Sequence, residues 1–198
     1  MCSRFEINAR PRDLARRFGL ATEPAGYAIG EVRPTNEVLT ITGDGSRPMP
    51  WGLKVDWDTK PLINARAETL TEKQTFRPLL ENRCLVPAEA YFEWRKDGKA
   101  RLKNRIHPAA GGIFAFAGLH DGERAVIVTC APAPDIAHIH GRMPVILSQA
   151  DEMRWCDPKL TFADVAALLH PTAPGALAAD EDTPPQPKQR DLFGGSGT

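Results

Sequence analysis

The sequence of 198 residues has little of what marks a metal-binding or disulfide-stabilised protein. Its four cysteines form no CxxC pair, so the sequence indicates neither a zinc site nor a disulfide framework. Cys84 and Cys130 lie in apolar, strand-like runs and are predicted to be buried thiols. His138 and His140, two residues apart, have no evident third ligand beside them. We therefore expect no metal and no cofactor.

Long apolar runs and net charge are also missing. No segment is apolar over the length needed to cross a bilayer, and residues 1–20 contain several arginines but no apolar block of a signal peptide. We expect a cytoplasmic protein without membrane contacts. The 25 Lys+Arg residues balance the 25 Asp+Glu residues, which argues against a long, non-specific nucleic-acid footprint but allows a local basic groove.

Short strands separated by turns dominate the hydrophobic pattern. Alternating or apolar runs predict strands at residues 37–42, 83–86, 90–95, 113–119, 125–129 and 145–147, and Asp97-Gly98 predicts a hairpin. Helices are predicted at 11–18, at 65–70, near 79–80, and after the capping-box patterns that begin at Ser148 and Thr161. The expected class is α+β, with one domain built on a mostly antiparallel, barrel-like sheet and a few peripheral short helices.

The composition changes at about Thr172, after which Ala, Pro, Gly and acidic residues prevail. We expect a domain over residues 1–171 and a disordered tail over residues 172–198. Within the tail, the segment QRDLF resembles the peptides that dock on bacterial sliding clamps. Leu192 and Phe193 would fill an apolar pocket while Gln189 forms a hydrogen bond at its rim. A chance match in a low-complexity tail is the alternative.

The second residue, Cys2, is the chemically unusual one. Cysteine is small enough for the initiator methionine to be removed before it, which would leave a free α-amine beside the thiol. The reference pKa values, about 7.7–8.0 for the amine and about 8.5 for the thiol, give both groups a nucleophilic fraction near neutral pH. A cysteine here is more often an incidental residue on a frayed terminus. The alternation of Phe5 and Ile7 instead predicts a strand that anchors the terminus.

Four separated segments carry a family resemblance when they are taken together: MCSRFE at 1–6, PLINARAETL at 61–70, RCLVPAEAYFEW at 83–94, and HIHGRMPVIL at 138–147. In order and spacing they resemble the SRAP family, the SOS response-associated peptidases or abasic-site processing proteins. WGL at 51–53 and IFAFAGL at 113–119 also match, so the resemblance covers roughly residues 1–157. The chain differs from the family pattern at Ser3, Glu31 and Gly141.

The resemblance implies roles for particular residues. Four positions match residues expected to carry the chemistry: Cys2, Asn64, Glu93 and His140. Cys2 would close a thiazolidine ring on the opened sugar of an abasic site in single-stranded DNA, and Asn64 would hold the Cys2 region or the sugar. Glu93 and His140 would move the protons. Five positions are expected to face the DNA: Arg4, Pro34, Trp51, Arg66 and Arg142.

Alternatives remain for several of these residues. The guanidinium groups of Arg66 and Arg142 suit phosphate, but structural ion pairs would explain them equally well. Among the tryptophans that are candidates for stacking on unpaired bases, Trp51 is favoured over Trp57, and Trp94 is expected to pack in the core. Single-stranded DNA is the favoured substrate because an unpaired strand bends into a pocket at little cost.

Two other functions are compatible with the same residues. Cys2 would be the nucleophile of a peptidase or amidohydrolase, with its own amine as the base. Alternatively, the chain would be a non-enzymatic module that binds damaged DNA through its groove. The abasic-site reaction is the favoured interpretation, and it predicts a nucleoid-associated protein with a role in replication or an SOS-type damage response.

Overall fold

Fifteen short strands organise residues 2–182, the part of the chain that the computed structural model describes. Along the chain the strands are β1 (Phe5–Ile7), β2 (Gly30–Val32), β3 (Glu37–Thr42), β4 (Gly45–Pro50), β5 (Leu53–Val55), β6 (Asp58–Leu62), β7 (Asn64–Arg66), β8 (Arg83–Ala88), β9 (Ala90–Asp97), β10 (Ala100–Pro108), β11 (Phe114–His120), β12 (Ala125–Cys130), β13 (Met143–Pro144), β14 (Ile146–Leu147) and β15 (Leu177–Glu181).

Two larger sheets and one hairpin contain these strands. A five-stranded antiparallel sheet has the order β15-β10-β9-β1-β2. An eight-stranded sheet has the order β13-β12-β11-β8-β3-β4, with β14 added on β11 and β7 added in parallel on β12. Strands β5 and β6 pair only with each other. The predicted α+β class with a mostly antiparallel sheet is confirmed.

Aromatic side chains join the two large sheets. Phe5, which is on β1 in the first sheet, packs edge-on to Phe116 on β11 in the second, with ring centroids 5.6 Å apart. Tyr91 on β9 also meets Phe116 edge-on, at 6.2 Å, and the ring of Trp51 lies 5.3 Å from Phe5. Edge-to-face contacts of this kind add stability beyond the apolar area they bury. The core therefore lies between the sheets and directly behind the N-terminal strand.

The helices are short and peripheral: α1 (Pro11–Phe18), α2 (Gln149–Cys156), α3 (Phe162–Val165), and 3₁₀ turns at Ala67–Thr69, Arg77–Leu79, Pro134–Ile136 and Ala166–Leu168. Local sequence explains their limits. Pro11 begins α1 and Gly19, in the left-handed conformation with φ of 63°, ends it. Ser148 caps α2 by accepting a hydrogen bond from the Asp151 amide, and Thr161 and Asp164 form the predicted capping box. None of the helices in the described residues is long and apolar enough to cross a membrane.

Two predictions were wrong. Residues 65–70 do not form a helix, because β7 pairs with β12 in parallel and only the 3₁₀ turn Ala67–Thr69 follows. This pairing across the fold overrides the local helical preference. The segment after Thr172 is not disordered throughout, because β15 pairs along β10 and buries Leu177. The domain therefore extends at least to Glu181.

Candidate active site

Cys2 is fully buried just before β1. Strand β1 is held on both sides, by β2 and by β9, and the Phe92 amide donates to the Arg4 carbonyl at 2.9 Å. The pairing thus extends to within two residues of Cys2 and anchors the terminus, as the alternation of Phe5 and Ile7 predicted. The Cys2 side chain is fully buried, and its Sγ donates a weak hydrogen bond to the Arg4 carbonyl at 3.6 Å.

Asn64 fixes the backbone of Cys2. Its Nδ2 donates to the Cys2 carbonyl at 2.7 Å, and β7 carries it there because Asn64 stands opposite Ile127 on β12. The other half of the amide, Oδ1, is buried and accepts no hydrogen bond from the described residues. A buried acceptor of this kind is available to a ligand that brings its own donor.

Glu93 and His140 come together from two distant elements. Glu93 lies on β9 and is 4% exposed, whereas His140 lies in the loop between the 3₁₀ turn Pro134–Ile136 and β13 and is half-buried. Glu93 Oε1 lies 3.8 Å from His140 Nδ1. A small adjustment brings these atoms within hydrogen-bonding distance, so the pair is placed for proton exchange.

The backbone of Arg142 supports His140 in both of its protonation states. His140 Nδ1 lies 3.1 Å from the amide nitrogen and 3.1 Å from the carbonyl oxygen of Arg142. In the neutral ring with hydrogen on Nε2, Nδ1 accepts from that amide; in the imidazolium, Nδ1 donates to that carbonyl. The loop therefore holds the ring in one place while its proton comes and goes.

Burial sets the electrostatics of the pocket. It raises the pKa of Glu93, and the positive charge of a protonated His140 acts in the opposite direction. Burial, followed by the negative charge of Glu93, raises the pKa of the Cys2 thiol far above its usual range. The thiolate is thus disfavoured in the resting pocket, and Glu93 is held closer to its protonated form than an exposed glutamate would be.

Arg142 is already engaged in an ion pair. Its two terminal nitrogens donate to the two carboxylate oxygens of Glu68, at 2.7 and 2.8 Å, and one of them also donates to the Thr129 carbonyl at 2.8 Å. The Arg142 guanidinium holds the pKa of Glu68 below its usual range. The structural alternative that the sequence left open for Arg142 is therefore present. Arg66, on β7, is exposed, and no hydrogen bond or salt bridge of its side chain is seen within residues 2–182.

The remaining expected DNA contacts lie on or beside the five-stranded sheet. The Arg4 guanidinium carbon lies 5.2 Å from the centre of the Trp94 ring, and its Nη1 donates to Glu31 at 3.1 Å. Glu31 also accepts from Lys103 at 3.0 Å. Pro34, half-buried, follows β2 in a turn that closes with the Asn36 amide donating to the Arg33 carbonyl.

Trp51 is a correction to the sequence prediction. Its side chain is fully buried, packs against Phe5, and donates from Nε1 to the Ile63 carbonyl at 2.8 Å. A ring enclosed in this way has no free face for a nucleobase, so Trp51 is a core residue. Trp57, at the turn between β5 and β6, is 70% exposed. Trp94 is half-buried under Arg4 and not enclosed in the core as expected.

Two residues that interact with these candidate groups were not singled out from the sequence. Glu68 lies within the INARAET segment, but its partner Arg142 is 74 residues away. Tyr91 precedes Glu93 by two positions on β9, and its hydroxyl is buried with no hydrogen-bond partner among the described residues. The two-residue period of a strand, which puts Tyr91 and Glu93 on one face, was the available signal.

The fold and the site together define a class: an α+β protein with a cysteine near the N-terminus, held by an amide and faced by a carboxyl–imidazole pair. The chain belongs to the SRAP family, since the model of "SOS response associated peptidase (SRAP)" matches residues 1–181.

Named relatives agree with this assignment. The chain is 36% identical to the abasic site processing protein YoqW of Bacillus subtilis, over 86% of this chain and 87% of that protein. It is 28% identical to the abasic site processing protein YedK of Escherichia coli, over 91% and 89% of the two chains. A solved protein from Bacteroides thetaiotaomicron superposes with a TM-score of 0.78 at 27% identity, covering 90% of each chain. One from Bordetella bronchiseptica, with a TM-score of 0.80 at 22% identity, covers 92% of this chain and 100% of its own and shows the fold alone.

Proposed function

We propose that the chain captures abasic sites in single-stranded DNA through a covalent thiazolidine link to Cys2, once Met1 has been removed. One observation carries the proposal: Asn64 holds the Cys2 carbonyl at 2.7 Å, and the charge of Glu93, which lies 3.8 Å from His140, acts on the Cys2 thiol. The names of the relatives, which refer to abasic-site processing, support the same substrate.

The first step opens the sugar. An abasic deoxyribose is mostly a closed hemiacetal, so an acid must protonate the ring oxygen while a base takes the hydroxyl proton. His140 donates to the ring oxygen and Glu93 accepts the other proton. The raised pKa of Glu93 suits this role because it makes the carboxylate a stronger base. Nδ1 faces the Arg142 backbone, so Nε2 gives the proton to the ring oxygen while Nδ1–H keeps donating to the Arg142 carbonyl.

The second and third steps form the link. The Cys2 amine adds to the aldehyde, and loss of one water gives an imine, with Glu93 passing protons between nitrogen and oxygen. The Cys2 sulfur then attacks the imine carbon. A C–S bond forms as the C=N π bond breaks, the thiol gives up one proton, and the nitrogen takes one up. The reaction therefore needs no further reagent.

Arginine side chains supply the DNA contacts in this proposal. Arg66, exposed on β7 two residues after Asn64, meets a phosphate directly. Arg142 does so by exchanging the Glu68 carboxylate for a phosphate of similar geometry. Arg4 follows Cys2 by two residues and lies over Trp94. Pro34 comes just after β2, which pairs with β1. A net charge of zero is compatible with this mode of DNA binding because only a few nucleotides are contacted.

A denaturing gel tests the proposal. The protein, with removal of Met1 checked by mass, is incubated with a uracil-containing single strand after glycosylase treatment. We expect a slower-migrating covalent band that Cys2→Ala abolishes and that the matched control Cys156→Ala, at a half-buried thiol on α2, retains. DNA binding without a band would instead support a non-covalent module, and peptide cleavage without a band would support the peptidase activity that the family description names.

The proposal extends to a setting at the nucleoid, where the link shields the lesion during replication or an SOS-type response. Gln189, Leu192 and Phe193 of the QRDLF segment, which lie outside the described residues, would recruit the chain to the sliding clamp. Deleting the last ten residues is expected to abolish clamp binding while the gel-shifted band persists. Unchanged clamp affinity would remove this partner and leave the reaction untouched.

A further inference from the structure

The hydroxyl of Tyr91 is a buried polar group that the fold itself does not use. The Tyr91 side chain is fully buried, and its OH has no hydrogen-bond partner in the described residues. Leaving a buried hydroxyl unpaired costs about 1–3 kcal/mol, which a phenylalanine at the same position would avoid. Such a group calls for an explanation outside folding stability.

The position of Tyr91 connects it to the reactive cysteine. Tyr91 and Glu93 are two apart on β9, so both side chains point to the same inner face of the sheet. In the β1–β9 ladder Tyr91 stands opposite Phe5, three residues after Cys2. Burial, followed by the neighbouring acidic groups of Cys2, Glu93 and Cys130, raises the pKa of the Tyr91 phenol. The phenol therefore remains protonated and keeps its O–H as a donor within electrostatic range of Cys2 and Glu93.

The sulfur of Cys2 needs such a donor only during the reaction. In the resting thiol, Sγ donates to the Arg4 carbonyl at 3.6 Å. A Cys2 thiolate has no proton to donate. The partial negative charge of the Arg4 carbonyl oxygen then repels the negative sulfur. Burial and the charge of Glu93 penalise the same thiolate. Rotation about the Cα–Cβ bond frees the sulfur from Arg4. The Tyr91 phenol interacts electrostatically with Cys2, and its hydroxyl has no hydrogen-bond partner among the described residues.

We propose that Tyr91 is a further catalytic residue, whose O–H donates a hydrogen bond to the Cys2 sulfur as that sulfur loses its proton and closes the ring. This inference rests on the proposed function. The phenol stabilises the developing negative charge and remains protonated throughout, while the thiol proton passes to Glu93 and the imine nitrogen takes up one proton. Tyr91 is thus assigned to ring closure and not to imine formation.

The test compares Tyr91→Phe with Tyr27→Phe, the only other tyrosine in the sequence and also a hydroxyl that lacks a hydrogen-bond partner in the described residues. Two adducts are measured on the same abasic strand. Covalent bands formed with a cyanoborohydride reductant report the imine, and bands formed without reductant report the closed ring. For Tyr91→Phe we expect wild-type rates with reductant and about ten- to a hundredfold slower ring closure without it. The melting temperature is expected to be equal or higher.

The outcomes separate the inference from the function on which it rests. If the wild type and Tyr27→Phe form the reductant-free band and Tyr91→Phe forms it equally fast, Tyr91 has no catalytic role, whereas the proposed function stands. If Tyr91→Phe loses both adducts in parallel with its melting temperature, the effect is structural and the inference fails. If the wild type itself forms no reductant-free band, the thiazolidine proposal fails first.

Discussion

The side-chain amide of Asn64 donates to the backbone carbonyl of Cys2 at 2.7 Å, across 62 residues of sequence. Because Asn64 binds the backbone of Cys2, the contact fixes where this residue lies without engaging its thiol. Because β7 is itself held in register on β12, the position of Cys2 is tied to the eight-stranded sheet as well as to β1. Cys2 is therefore held in place by contacts to both large sheets.

Replacing Asn64 with aspartate tests the hydrogen bond to the Cys2 carbonyl with little change in the shape of the side chain. The ionised carboxylate of the Asn64→Asp variant would face the Cys2 carbonyl with an acceptor in place of a donor, so we expect cross-linking at least about tenfold slower and a loss of about 1–3 kcal/mol of stability. Protonation of that carboxylate restores an O–H donor. The cross-linking rate of the variant relative to wild type should therefore be highest at the acidic end of the pH range. Gel-based rates across pH, with Asn82→Asp at an exposed position as control, measure this. A ratio independent of pH would mean that the amide has another role.

Glu93→Gln should separate stability from activity. The folded-state pKa of Glu93 is raised by burial, so its stabilising contribution is complete below the unfolded value and is lost as pH rises through the folded value. The wild type is thus destabilised by ionisation above about pH 4.3, and the glutamine variant is not. We expect similar melting temperatures for both proteins in acid, a higher one for Glu93→Gln at neutral pH, and cross-linking slower by about a hundredfold or more. A variant that is less stable at neutral pH would show that the carboxylate is stabilised by its partners.

Local signals predicted the parts of the fold whose causes are local. The Pro11 and Gly19 limits of α1 and the capping residues Ser148 and Thr161 all act within one turn of helix, and the structure has them where the sequence puts them. Strand β15 illustrates the opposite case. Its acidic, alanine-rich sequence has little strand character, and its pairing depends on β10, about 70 residues earlier.

The sequence singled out candidate residues for the site but not the contacts between them. The segments around Cys2, Asn64, Glu93 and His140 stood out by their resemblance, and the structure brings Asn64 to Cys2 and Glu93 to His140. The burial of Trp51 was not visible, because its neighbours in sequence are turn residues and its neighbours in space are Phe5 and the Ile63 carbonyl. Sequence patterns do not state which distant groups enclose a side chain.

Glu68→Gln is expected to strengthen binding of undamaged single-stranded DNA. The substitution removes the charge that neutralises Arg142, so the guanidinium meets phosphate without first giving up a carboxylate. Affinity should rise, and the slope of log K against log salt should steepen by about 0.7, the value for one more phosphate contact on a single strand. Fluorescence anisotropy at several salt concentrations gives both quantities, with Glu72→Gln as an exposed control on the same segment. Weaker binding would indicate that Glu68 orients Arg142 for the DNA.

Strand β15 should contribute measurably to the stability of the domain, although the sequence places it in the tail. It covers the open edge of β10 over five paired residues and buries Leu177. Its acidic end reaches basic residues of the sheet, since Glu181 pairs with Arg95 at 3.2 Å and Asp182 with Lys103 at 2.9 Å. These pairs are partly exposed and add little individually, so most of the effect should come from Leu177 and the strand ladder.

A chain that ends at Ala176 is expected to be about 2 kcal/mol less stable than one that ends at Asp182, since burial of one leucine contributes about 1.5–3 kcal/mol. Urea unfolding of the two truncated chains measures the difference, and Leu177→Ala in the longer chain isolates the side chain. Equal midpoints for the two truncations would show that the domain ends before β15, where the sequence had placed its boundary.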